Sequence, residues 1–214
     1  MSKSRLNGHR YSLALATRWM ICAAVAAVGL PAATSAATAA QGEPASSLQV
    51  PAEKQTTLGL YVTAREAYSR WQAAPDKVKI IDVRTPEEYL WVGHAPMAWL
   101  VPVLGVTYSW DAQSNRFPAQ PLPDFIERMR KVAGPDETLL VMCRSGGRGA
   151  AAVNLLAQAG YKHVYNITDG MEGDTVTDPN SVFQGRRLVN GWINSGLPVT
   201  EKVDPDRLVL PPVK

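Results

Sequence analysis

Thr138-Leu139-Leu140-Val141-Met142-Cys143-Arg144-Ser145-Gly146-Gly147-Arg148 begins as an apolar, β-prone run and ends as a glycine-bearing loop with two arginines. Residues 138–142 have the length and composition of a buried strand. Beyond the loop, the Ala/Leu-rich stretch from Gly149 to Ala159 predicts a helix, closed by Gly160. Cys143 therefore stands at the carboxyl end of a strand, where open α/β sheets place their ligands. Gly146 and Gly147 let the backbone curl and turn several N–H groups inward. The helix that follows adds its unpaired N–H groups and positive dipole end. With Arg144 and Arg148 adding two positive charges, the reading predicts a reactive thiol with a pKa below its usual value of about 8.5. A plain strand-to-helix turn would need the glycines but not a cysteine flanked by two arginines.

Outward from this loop, the pattern repeats. Val78 to Ile81 is a short β-prone run ending in Asp82-Val83-Arg84. Thr85-Pro86-Glu87-Glu88 then carries a capping-box signature with Pro at the first helical position. Thr63-Ala64-Arg65-Glu66 is a second capping box, opening a helix to about Gln72 with Ala64, Ala67, Tyr68 and Trp71 on its apolar face. Gly93-His94-Ala95-Pro96 reads as a turn, Trp99 to Val103 as a strand, Asp124 to Val132 as a helix stopped by Gly134-Pro135, and Val164 to Ile167 as a strand. Residues 105–123, with Tyr108, Trp110, Phe117 and three prolines, read as a long loop. Strands alternating with helices predict one α/β domain, an open parallel sheet with helices on both faces.

The first forty residues are set apart from that domain. Lys3, Arg5, Arg10 and Arg18 form a basic start, Trp19 to Leu30 is apolar, and small residues run from Ala32 to Ala40. This is the anatomy of a signal peptide, with cleavage expected near Ala40 and export to the periplasm. An apolar run this short falls below the roughly 20 residues needed to span a bilayer. Residues 41–57 read as a flexible lead-in and 200–214 as a C-terminal tail. The whole chain has 22 Lys+Arg against 19 Asp+Glu. Four of the basic and none of the acidic residues lie in 1–40, leaving 22 − 4 = 18 against 19. That near-balance argues against nucleic acid as a partner, and against membrane contact beyond the leader. The cysteine count falls likewise, from two to Cys143 alone. In an oxidising compartment a lone thiol points to a reactive group or an intermolecular pair, with a buried small hydrophobe as the competing reading.

The loop resembles that of the rhodanese-like sulfurtransferases, which begins with Cys and commonly reads C-x-x-G-x-R. Asp82-Val83-Arg84-Thr85-Pro86-Glu87-Glu88-Tyr89 followed by Gly93-His94-Ala95-Pro96 is similar to that family's first signature. Asp169-Gly170-Met171 and Trp192-Ile193-Asn194-Ser195-Gly196-Leu197-Pro198 are similar to its closing one. The resemblance covers roughly residues 58–199, with 105–123 and 173–188 as insertions on its rim and Gly149 where Ser or Ala is usual.

The resemblance implies sulfur transfer in two steps. Cys143 would take sulfane sulfur from an anion such as thiosulfate, form a persulfide, and yield it to a thiol or cyanide; no cofactor and no metal is expected. Arg148 would be the main anion-binding group and Arg144 a more exposed secondary one. Backbone N–H groups from Ser145, Gly146, Gly147 and Arg148 would stabilise the persulfide, while Asp82, Arg84 and Glu88 would organise the loop. Two other readings compete. A cysteine phosphatase or arsenate reductase needs Cys and Arg six positions apart, against five here. A non-catalytic persulfide carrier or scaffold would meet an exported partner through the aromatic rim of Trp99, Tyr108, Trp110 and Phe117.

Overall fold

Residues of the central strands alternate between two apolar layers, which is how one sheet comes to be covered on both faces. Ile81, Leu139, Val141 and Val164 belong to one core cluster, with Phe125, Met129, Val153 and Leu156. Their neighbours Val78, Ile80, Leu140, Met142 and Ile167 belong to the other, with Ala64, Ala67, Met97 and Trp192. The computed structural model describes residues 50–212. The signal peptide, its cleavage near Ala40, and lead-in residues 41–49 lie outside the described residues.

The elements are β1 (Tyr61–Val62), α1 (Ala64–Ala73), β2 (Val78–Asp82), α2 (Pro86–Trp91), β3 (Trp99–Leu100), β4 (Leu104–Val106), β5 (Ala119–Pro121), α3 (Phe125–Arg130), β6 (Thr138–Met142), α4 (Gly147–Gln158), β7 (Val164–Ile167), β8 (Asp174–Thr175) and β9 (Arg187–Val189). The main sheet runs β1-β7-β6-β2-β3, with every pairing parallel. Strand β6 is central, paired to β2 from Val78↔Thr138 to Asp82↔Met142. Its last residue delivers Cys143 to the carboxyl edge of the sheet. Both capping boxes form: Thr63 accepts from Glu66 N–H and Glu66 accepts from Thr63 N–H, and Thr85 and Glu88 repeat the pattern in α2.

Four expectations need correction. Residues 105–123 are not an unstructured loop: β4 and β5 pair antiparallel, and Asp111 and Arg116 bridge at the tip. Asp111 accepts from Gln113 N–H at 2.9 Å, and Asn115 takes a φ of 50°, so side-chain turn chemistry makes the hairpin and no hydrophobic period announces it. Helix α3 is shorter than 124–132, since Asp124 sits at φ 57° before it. Helix α4 starts two residues before Gly149, because Gly146 at φ 100° reverses the chain and lets Gly147 enter the helix. The described parts of the lead-in and tail, around Lys54 and over 200–209, are also more tightly held than a flexible lead-in and a tail. Buried Lys54 pairs with Asp174 at 2.8 Å, and its carbonyl accepts from Asn166 Nδ2 at 3.0 Å. At the other end, His94 and Thr200 pair antiparallel and Val209 N–H donates to Leu100 O at 2.9 Å, so residues 200–209 line the β3 edge.

Candidate active site

The loop after β6 is held from below by backbone. Met171 N–H donates to Cys143 O at 2.8 Å and Glu172 N–H to Arg144 O at 2.9 Å. This close approach explains Gly170: a Cβ there would lie 2.6 Å from Cys143 O and 2.7 Å from Ser145 N. Asp169 fixes the same segment, its carboxylate accepting from Ala64 N–H and Gly191 N–H, both at 2.8 Å. Burial pushes the Asp169 carboxyl up, against the two backbone donors. Sequence reasoning quoted Asp169 and Gly170 as a signature without giving either a task.

Cys143 is buried, only 1% exposed, and its Sγ accepts from Gly146 N–H at 3.2 Å. Gly146 is tightly enclosed, since a Cβ would lie 2.3 Å from Thr168 O. The first N–H of α4 to close back on the loop is that of Ala150, onto Gly146 O at 2.9 Å. Gly147 and Arg148 therefore sit in the first helical turn, where N–H groups lack an intrahelical acceptor. Of the four backbone donors expected from Ser145 to Arg148, the one bonded to the sulfur among the described residues is that of Gly146. Ser145 is half-buried, and its hydroxyl makes no hydrogen bond among the described residues.

Each of the two loop arginines is paired with a carboxylate. Both terminal nitrogens of Arg148 donate to Glu88, at 2.5 and 2.6 Å, with the two side chains about a quarter exposed. Glu88 also accepts from Thr85 N–H at 3.2 Å, so one carboxylate caps α2 and grips the start of α4. Arg148 is accordingly charge-paired to α2 through Glu88. Burial alone would lower the Arg148 pKa and raise that of Glu88; the hydrogen bonds and opposite charge reverse both, raising Arg148 and lowering Glu88. Arg144 is half exposed, as expected, and pairs with Glu172 at 3.1 Å. Asp82 and Arg84 are fully buried together: Arg84 reaches Asp82 through Nε and Nη2, and Gly93 O through Nη2 at 2.8 Å. They hold the turn after α2, and among the described residues neither side chain hydrogen-bonds to the thiol loop. His94 is buried in that turn, stacked on Tyr89 at 3.6 Å and donating through Nδ1 to Tyr89 O at 3.0 Å. Burial lowers its pKa.

Asn166 on β7 is the residue that the sequence reading overlooked. Its Nδ2 donates to Gly146 O at 3.1 Å and to Lys54 O, tying the loop to the chain's N-terminal segment. Gly149 makes room for it, since a Cβ there would lie 2.4 Å from Asn166 Oδ1. The unusual glycine after Arg148 was the available signal.

The chain is similar to known proteins. The family model for the rhodanese-like domain matches residues 63–175. Thiosulfate sulfurtransferase 16, chloroplastic, of Arabidopsis thaliana is 35% identical over 92 residues, covering 43% of this chain and 69% of the relative. Protein HIGH ARSENIC CONTENT 1, mitochondrial, of the same plant is 35% identical over 92 residues, covering 43% of this chain; the match spans only 49% of that relative's length. Among solved structures, a polysulfide-sulfur transferase homodimer from Wolinella succinogenes is 21% identical with a TM-score of 0.46, covering 71% of this chain and 84% of that one.

Proposed function

Since this chain belongs to the rhodanese-like domain family, we propose that it moves sulfane sulfur from a small anionic donor through a persulfide on Cys143. The observation that carries the reading is the Gly146 N–H aimed at Cys143 Sγ, at the junction of β6 and α4. An N–H at that distance stabilises negative charge as it shifts between sulfur atoms. Thiosulfate is the donor suggested by the name of the Arabidopsis relative. The Cys143 thiolate attacks its outer sulfur, the S–S bond of thiosulfate breaks, and the electron pair leaves on sulfite. A thiol or cyanide then takes the outer sulfur and regenerates the Cys143 thiolate, so no net oxidation occurs and no cofactor is consumed. Burial of the sulfur restricts the donor to one that can reach it end-on.

Arg148 and Glu88 act as a brace between α4 and α2. Asp82 and Arg84 hold the turn that backs α2. The basic and apolar composition of residues 1–40 supports export before this chemistry takes place.

The test is direct. Thiosulfate-treated protein should gain one sulfur by intact-mass spectrometry and release one equivalent of sulfite, and Cys143→Ser should do neither. Wild-type protein that gains no sulfur and releases no sulfite would refute the proposal.

A further inference from the structure

Glu172 and the β8–β9 arm beside the loop enclose a cavity of about 420 Å³, lined by Arg144, Glu172, Thr175, Gly185, Arg186 and Arg187. We propose that this cavity is an acceptor subsite selecting thiols that carry carboxylate groups. The proposal rests on the sulfurtransferase reading and names the acceptor class for that same site.

The cavity and the thiol loop share one backbone unit. Arg144, which follows Cys143 directly, forms part of the wall, and its carbonyl is held by Glu172 N–H at 2.9 Å. The arm is braced in place. Arg187 Nη1 donates to Gly173 O at 2.6 Å, and Gly185 N–H and Val176 N–H close the arm onto Val176 O and Arg186 O at 2.9 Å each. At its root, Gly173 and Gly191 approach so closely that a Cβ on Gly173 would lie 2.2 Å from Val189 O. Lys54 pins Asp174 from the other side.

Three arginines and one carboxylate line this space. Among the described residues, Glu172 forms an ion pair only with Arg144. The hydrogen bond of Arg187 goes to a neutral carbonyl, and exposed Arg186 makes no ion pair among the described residues. Two positive charges are thus left for a ligand, and a guanidinium fork binds carboxylate through paired hydrogen bonds. The volume lies in the roughly 300–1,000 Å³ range of small-molecule sites, and suits a molecule larger than the sulfur donor. Arg186 and Arg187 also lie beyond residue 175, where the family match ends, so this subsite belongs to the chain's own arm.

In the step served by the subsite, the acceptor thiol loses its proton to solvent and its thiolate attacks the outer sulfur of the Cys143 persulfide. A new S–S bond forms on the acceptor, the bond to Sγ breaks, and the pair returns to the Cys143 thiolate. A carboxylate anchored on Arg186 and Arg187 raises the local concentration of the attacking thiolate.

The full chain is first loaded with thiosulfate and then offered mercaptosuccinate or neutral 2-mercaptoethanol. In Arg186→Gln, which leaves the Arg187 brace intact, kcat/KM for mercaptosuccinate should fall about tenfold or more, while that for 2-mercaptoethanol changes less than about twofold. Sulfur loading by thiosulfate should be unchanged. Equal losses for both thiols, or no loss for either, would overturn the subsite. A calorimetric titration with S-methylmercaptosuccinate, which cannot accept sulfur, should show binding to wild type and none to the variant. If wild type fails to load, the sulfurtransferase reading falls, and this titration alone decides the subsite; absence of binding to wild type refutes it.

Discussion

Two arginine–carboxylate pairs lie at the carboxyl end of the sheet, alike in chemistry and opposite in setting. Asp82–Arg84 joins residues two apart and has no exposed side-chain surface. Glu88–Arg148 spans sixty positions, links the first turns of α2 and α4, and is about a quarter exposed. A buried pair is a constraint on folding, because either partner left alone is an uncompensated charge in low dielectric. A half-solvated pair can break at modest cost, so its value lies in where it puts the two helix starts. The first pair lies within one turn of the scaffold, and the second joins α2 to the helix that follows the Cys143 loop.

The largest effect should follow from breaking the buried pair. Arg84→Met leaves Asp82 without its partner and should destabilise the protein by about 3–5 kcal/mol, read from the denaturant midpoint. Asp82→Leu combined with Arg84→Met should recover much of that loss, since both charges then go together. A single variant as stable as wild type would erase the distinction between the pairs. In the native protein burial works against the charge on Arg84, but the adjoining Asp82 carboxylate outweighs it and raises the pKa.

A smaller effect tests how α4 is positioned. Gly149→Ala forces a methyl group to within 2.4 Å of Asn166 Oδ1, and should cost about 1–3 kcal/mol by overpacking. The strain falls on the first turn of α4, so it should disturb Arg148–Glu88 and slow sulfur loading while leaving Asp82–Arg84 intact. Asn166→Ser should rescue part of the stability in a double-mutant cycle, and additive losses would show that the two residues are not coupled.

These cases also show how far the sequence was readable. Local chemistry was legible: both capping boxes, the strands at 78 and 138, and the cysteine at the strand end rest on neighbours within a few residues. Asp82, Arg84 and Glu88 were legible as a group because a signature placed them together, but the buried pair Asp82–Arg84 bonds to the Gly93 turn while Glu88 bonds to Arg148. The partner of Arg148 was not, since nothing local says that residues sixty apart will meet when α2 and α4 start side by side. Asn166 escaped for the same reason, being one polar residue in an otherwise apolar strand. The β4–β5 hairpin was hidden because Asp111 and Asn115 build it through turn geometry rather than hydrophobic period. Lys54 in the lead-in reads as a solvated charge until the fold brings Asp174 to it.

The mildest change, Glu88→Gln, separates charge from shape at the exposed pair. Glutamine keeps the length needed to cap α2, but it has one acceptor oxygen where Glu88 uses both, so one Arg148 hydrogen bond is lost along with the charge. Stability should fall by about 1–2 kcal/mol at neutral pH, between the limits for exposed and buried pairs. The Arg148 hydrogen bonds and charge outweigh burial and hold the Glu88 pKa below its ordinary 4.5. A carboxyl with a depressed folded-state pKa stabilises the fold above its unfolded value, and that contribution disappears as pH falls through the folded value. The difference between wild type and Glu88→Gln should therefore be constant from neutral pH to just above 4.5 and shrink below it. A difference that persisted unchanged into strong acid would mean that packing, and not the ion pair, holds α2 to α4. Sulfur loading decides the functional half of the comparison. If the pair positions the loop, loading slows although Arg148 is now less neutralised; faster loading at low thiosulfate would restore Arg148 to the anion-binding role that its place in the loop first suggested.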